Sequence, residues 1–175
     1  MKKVIEVLVL CLTFQAAASA LEITAVSTAS ASGGLSGDFT FSALAVKGVT
    51  YEKGAVIMPV TENKGKTYSD VKLLSKSLYG KMEACFKGAC AKPLKASASP
   101  KVKITALKPL KSKVRVANAD VSFDEELLVV AGVMVSAKEP GTYWVAFPET
   151  LTFPDAAFKS AVESAVIAAW AKKNK

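Results

Sequence analysis

The sequence predicts an α+β fold built from two tandem repeats, each an antiparallel sheet followed by one C-terminal helix, packed together as a pseudo-dimer. Three observations carry this expectation. Strand-like apolar alternation fills the first part of each half. One helix-spaced apolar stripe closes each half. Three short segments recur in the same order: Ile23-Thr24-Ala25-Val26 as Ile104-Thr105-Ala106-Leu107, Leu44-Ala45-Val46-Lys47-Gly48-Val49 as Leu128-Val129-Val130-Ala131-Gly132-Val133, and Met58-Pro59-Val60-Thr61 as Phe147-Pro148-Glu149-Thr150, at offsets of 81 to 89 residues. Recurrence in register marks a repeated structural unit.

In the first half, Glu22–Ser27 reads as a short strand, Phe39–Val46 as an alternating strand and Ala55–Met58 as a buried one. In the second, strands are expected near 102–108, 114–123, 127–136 and 143–147. Gly33-Gly34, Gly54 and Pro140-Gly141 punctuate them as turns. Ser69-Asp70 is a capping signal for a helix carrying Leu74, Leu78, Met82 and Phe86, with Gly88 as its stop. Pro154-Asp155 opens a second helix carrying Phe158, Val162, Val166 and Trp170, closed by Lys172 and Lys173 at its negative end. Phe158 to Trp170 contains only Lys159 and Glu163 as charges, a poor polar face for a helix lying on a membrane. The segment 91–100, with two lysines, two prolines and alternating Ala and Ser, has linker composition and divides repeat 1 (21–90) from repeat 2 (101–175). Halves of roughly 75 residues are marginal alone, so docking of the two is expected.

Residues 1–20 read as an export signal. Lys2 and Lys3 precede an apolar run, Val4–Phe14, interrupted only by Glu6, and Ala18-Ser19-Ala20 is an A-x-A cleavage site. The 11-residue run is too short to span a bilayer, and bulky Leu10 before Cys11 argues against lipid attachment. The expectation is a periplasmic or extracellular protein cleaved after Ala20, with no membrane span thereafter. Loss of Lys2, Lys3 and Glu6 takes the 23 basic and 15 acidic residues to 21 and 14, a net +7. Cys85 and Cys90 then remain in an oxidising compartment, which predicts a local disulfide; C-x4-C is not a redox C-x-x-C, and two thiols make an incomplete metal site.

The chain has no histidine, which excludes Ser-His-Asp and Cys-His catalysis and histidine-ligated metals. Gly65-Lys66-Thr67 resembles the end of a phosphate loop, but Val60 stands where its first glycine belongs. Ser69-x-x-Lys72 lacks the companion motifs of the acyl-enzymes that use it. Asp124, Glu125 and Glu126 read as solvated acids of a hairpin turn. No catalytic residue, metal, cofactor or small-molecule substrate is expected.

The strongest functional signal is charge placement. From Ala84 to Ala119 there is no acid, while Lys87, Lys92, Lys95, Lys101, Lys103, Lys108, Lys111, Lys113 and Arg115 are all basic. Lys101 and Lys103 alternate with apolar residues, as do Lys111, Lys113 and Arg115 with Ser112 and Val114. If the two stretches pair across Pro109-Leu110, five cations share one face, with Lys159 an outlying contributor. Mutual repulsion on such a face favours a polyanionic partner. Candidates are nucleic acid, anionic lipid headgroups or an acidic wall polymer. Aromatic residues do not interleave with these cations, which argues against base stacking on a single strand. An envelope module that contacts other proteins through sheet edges or apolar surface is the alternative.

Ile104-Thr105-Ala106-Leu107, Phe123-Asp124, Tyr143-Trp144-Val145-Ala146-Phe147-Pro148 and Ala165-Val166-Ile167-Ala168-Ala169-Trp170 together resemble the SpoVG family (stage V sporulation protein G, a septation regulator). The family has a Phe-Val-Ala-Met-Pro strand end and a helix ending in an Ala-Val-Leu-Glu-Ala-Tyr-like run. The resemblance covers about 102–173 and recurs more faintly over 21–87. It implies a small dimeric α+β domain that binds DNA or RNA, so that a tandem copy becomes a covalent pseudo-dimer. Two features depart from the family: the export signal, and a shortened segment, Glu149–Phe153, before the helix, where the family's basic residue corresponds to Lys159. If the export reading holds, intact-mass measurement of the protein from its native host gives a chain beginning at Leu21; a cytoplasmic chain beginning at Met1 overturns it.

Overall fold

The computed structural model describes residues 21–31, 33–90 and 99–174, so the expected export signal and residues 91–98 of the expected linker lie outside the described residues. In chain order the elements are β1 (Ala25–Ala31), β2 (Gly34–Phe41), β3 (Leu44–Glu52), β4 (Ala55–Ile57), β5 (Thr61–Asn63), β6 (Lys66–Tyr68), β7 (Val71–Leu73), α1 (Lys76–Phe86), β8 (Val102–Pro109), β9 (Arg115–Phe123), β10 (Leu127–Val135), β11 (Tyr143–Ala146), β12 (Leu151–Thr152) and α2 (Ala156–Lys173). This is an α+β chain with antiparallel strand pairing.

Two five-stranded sheets dominate. The first runs β1-β2-β3-β12 with β4 also on β3; the second runs β11-β10-β9-β8 with β7 also on β10. Each therefore contains one short strand from the opposite half. On β3, β4 covers Thr50–Glu52 while β12 covers Ala45 and Val46. On β10, β11 covers Gly132–Val135 while β7 covers Leu127–Val129. Backbone bonds from Lys47 N to Thr150 O (2.8 Å) and from Val130 N to Asp70 O (2.7 Å) extend the two exchanges. In both cases the exchanged strand immediately precedes a helix.

Side-chain alternation decides which sheet face is dry. Phe39, Phe41, Leu44 and Val46 of the first sheet are fully buried, as are Ala117, Ala119, Val121 and Phe123 of β9 and Leu127, Val129, Ala131 and Val133 of β10. Helix α1 adds Leu78, Met82, Cys85 and Phe86; the Phe86 ring packs on Phe39 and Tyr51. Helix α2 lies against β8, β10 and β11 and adds Phe158, Val162, Val166 and Trp170. Its N-cap is Asp155, whose Oδ1 accepts from Ala157 N and Phe158 N. All of these side chains join one core cluster.

Several expected elements differ in detail. Ser69-Asp70 does not cap α1. Val71–Leu73 pairs with β10 instead, and Ser75 is the cap, its Oγ accepting from Ser77 N and Leu78 N. Leu74 thus falls outside the helix and is half exposed. Sheet hydrogen bonds to a distant strand outweigh local helical spacing here. The single strand expected over 39–46 is two strands, broken at Ser42, whose φ of 54° turns the chain. The first strand begins at Ala25 and runs on to Ala31. Gly65-Lys66-Thr67 sits in the β5–β6 hairpin, where Lys64 and Gly65 both take positive φ, as a two-residue hairpin turn requires.

Val71 is 1% exposed at the exchanged strand. Val71→Ala removes apolar contact at the junction of the halves and is expected to cost about 2 kcal/mol in denaturant unfolding. Lys72→Ala, on the exposed side of the same strand, should cost far less.

Candidate polyanion-binding surface

The basic stretch folds into the β8–β9 hairpin. A register shift between Ile104 and Ala106 leaves Thr105 unopposed and changes the alternation of β8. Lys103 pairs with Ser122 and Lys108 with Asn118. Ser122 and Asn118 both lie between inward-facing, fully buried residues of β9. Lys103 and Lys108 consequently share the outer face, which strict alternation from Lys103 would not give.

Both lysines are matched by acids. Lys103 Nζ lies 2.6 Å from Glu125 Oε1, and Lys108 Nζ lies 2.6 Å from Asp120 Oδ2. The Glu125 carboxyl is held below the usual glutamate range, first by its hydrogen bond from Lys103 and then by that lysine's charge. Lys101 precedes β8 and is fixed through its backbone: its N donates to Asp124 Oδ1 and its carbonyl accepts from Asp124 N, both at 2.9 Å.

The other expected cations divide differently. Lys111 and Lys113 are not in a strand. They occupy the exposed connection between β8 and β9, which starts at Arg115. Among the described residues neither has a carboxylate partner. The connection holds its own shape: Ser112 Oγ accepts from Val114 N and Arg115 N at 3.2 Å. Arg115 is half-buried on the outer face. Its Nε donates to Asn118 Oδ1 at 2.8 Å, and a methyl group on Gly132 would meet that Nε at 2.8 Å. The glycine gives the guanidinium room to lie flat on the sheet. Lys159 is remote in role, paired with Glu163 along α2 at 3.6 Å.

The five-cation strand face expected from alternation is therefore not what forms. Two lysines are paired on the outer face, one arginine lies on the sheet, and Lys111 and Lys113 project from a loop. The end of α2 joins that loop's end of the sheet, with Lys173 Nζ donating to Leu107 O. Alternation did not reveal this neighbour, because α2 meets β8 only through tertiary packing.

Of the acids at 124–126, all expected to be solvated, Glu125 is exposed, whereas Asp124 and Glu126 are tied into the fold. Besides the Asp124 and Glu125 contacts above, Glu126 accepts from Leu21 N at 2.7 Å and from Ser75 Oγ at 2.8 Å. Cys85 and Cys90 form a disulfide. Edge strand β11 presents a second feature unnoticed in the sequence: Tyr143 and Trp144 are 40% and 51% exposed beside a groove of 520 Å³ lined by Val145, Ser160, Glu163 and Ile167. Among the described residues no cluster of three or more His, Cys, Asp or Glu stands ready for a metal, and no helix is long and apolar enough to cross a membrane. No family profile, curated protein or solved structure matches the chain.

The Lys103 pair gives a direct test. A carboxyl with a depressed folded-state pKa adds stability above its unfolded pKa and loses it as pH falls through the folded one. NMR titration should place Glu125 below the ordinary glutamate value, and Lys103→Gln should return it to that value. Because the pair is exposed, global stability should change little.

Proposed function

We propose that this is an exported, non-enzymatic protein that holds a polyanion at the β8–β9 end of its second half. The observation that carries the reading is the exposed connection bearing Lys111 and Lys113, cations without carboxylate partners among the described residues, flanked by Arg115 and approached by the basic end of α2. An acid-free loop of this kind concentrates positive potential where no internal counter-charge relieves it. Binding is then held by charge with little sequence selectivity. Nucleic acid is the ligand the SpoVG resemblance implies; anionic lipid and acidic wall polymer share its chemistry.

We propose further that the two halves are SpoVG-like repeats forming a covalent pseudo-dimer. Apart from the β5–β6 hairpin inserted in the first half, the same order of strands, exchanged short strand and helix in each half supports this, as does the reciprocal placement of β7 and β12. The septation role of the family is carried only by the resemblance.

A second reading has its own support. Tyr143 and Trp144 on an edge strand suit an envelope protein contact, since exposed aromatic surface beside an open sheet edge is a common recognition element. Salt separates the two. Polyanion binding weakens steeply with salt through counterion release, at a log–log slope near −0.9 per neutralised phosphate on duplex DNA. The Lys111→Gln, Lys113→Gln double variant should keep its fold and reduce the steepness of that slope by about 2. Unchanged binding of duplex DNA, anionic vesicles and wall polymer by this variant sinks the charge reading. Salt-insensitive binding lost with Trp144→Ala favours the protein contact.

A further inference from the structure

The first described residue is held more tightly than a chain segment entering a domain requires. The Leu21 side chain is 1% exposed and belongs to the core cluster. Its carbonyl accepts from Lys81 Nζ on α1 at 3.2 Å, and its nitrogen donates to Glu126 Oε2 at 2.7 Å, across 105 residues of sequence. The Glu126 carboxylate is itself fixed. Its other oxygen, Oε1, accepts from Ser75 Oγ at 2.8 Å, and that hydroxyl caps α1. Its backbone N donates to Phe123 O at 3.0 Å, and its carbonyl accepts from Leu74 N at 2.8 Å. A carboxylate thus stands preset against one particular backbone nitrogen.

That nitrogen belongs to the residue that follows the A-x-A signal, Ala18-Ser19-Ala20. In an unprocessed chain it is a neutral amide with one proton. After cleavage it is an α-ammonium. The observed 2.7 Å is already the separation of a charge-assisted N–H···O bond. We propose that removal of residues 1–20 places a new α-ammonium group of Leu21 on Glu126, so that export processing completes an ion pair joining the chain's start, the α1 cap and the β9–β10 turn. The inference rests on the export reading given above. It explains why an acid in an otherwise ordinary hairpin turn faces inward, and why the leucine beside it is buried. Lys81 is the other cation at the site; it engages the Leu21 carbonyl and leaves the carboxylate to the amino group.

The test compares two chain ends in two backgrounds: residues 21–175 and 18–175, each with Glu126 or with Glu126→Gln. In the Glu126 background the chain beginning at Leu21 should have a folding equilibrium constant about tenfold higher than the chain retaining Ala18–Ala20. With Glu126→Gln that ratio should fall below about twofold, because an amide offers no charge to the ammonium. Equal ratios in both backgrounds overturn the ion pair. If the glutamine variants do not fold, titration of the Leu21 α-amino group in the parent decides the matter: a value above the ordinary range of about 7.7–8.0 is expected, and an ordinary value refutes it. Intact mass of host-exported protein separates the two layers. A first residue other than Leu21 defeats the processing step, whatever the engineered chain ends show about the pair.

Discussion

The reciprocal strand exchange is the constraint on which the fold depends. Each central strand, β3 and β10, is nine residues long, and its own neighbour on the far side covers only the C-terminal part. The remaining backbone groups, at Ala45–Val46 and Leu127–Val129, lie among fully or nearly fully buried side chains. Left unpaired there, they would carry the desolvation cost of buried polar groups without recompense. β12 and β7 supply the missing partners from the opposite half. Neither sheet can be completed by its own half alone.

The exchange also sets where the helices and charges go. Each exchanged strand leads directly into a helix, so pairing on the opposite sheet fixes the point from which that helix returns. Ser75 becomes the cap of α1 because Val71–Leu73 is committed to β10. Glu126 then meets both that cap and Leu21. At the other end of the second sheet, α2 reaches β8 and brings Lys173 to Leu107, beside the connection that carries Lys111 and Lys113. The β9–β10 turn is thus tied to α1 through Glu126, while the β8–β9 connection at the other end of the hairpin is basic and exposed.

Much of this was legible in the sequence where interactions are local. The strands β8 to β11, the α2 stripe and its Asp155 cap follow from alternation, i,i+4 spacing and a capping residue, whereas the two-residue strand β12 carries no such signal. The short Cys85–Cys90 spacing made their pairing readable as well. What failed was non-local. No spacing rule reports that Val71–Leu73 finds a partner more than fifty residues away, so helical spacing alone starts α1 too early. No pattern shows the unopposed Thr105 that returns Lys108 to the face of Lys103. The basic stretch itself is plain in the sequence. Their division into paired, flat-lying and projecting cations depended on acids and a glycine across the sheet. Glu126 departs from a solvated turn acid for the same reason: its partners are a distant serine and the first residue of the described chain.

Native-state hydrogen exchange across the whole chain tests the central claim most directly. If the exchange locks the halves together, amides in β2–β3 and in β9–β10 share one opening free energy, and both sets lose protection in a single cooperative step as denaturant is added. Protection lost first throughout one sheet, with the other still closed at full strength, would show two independent units and contradict the account.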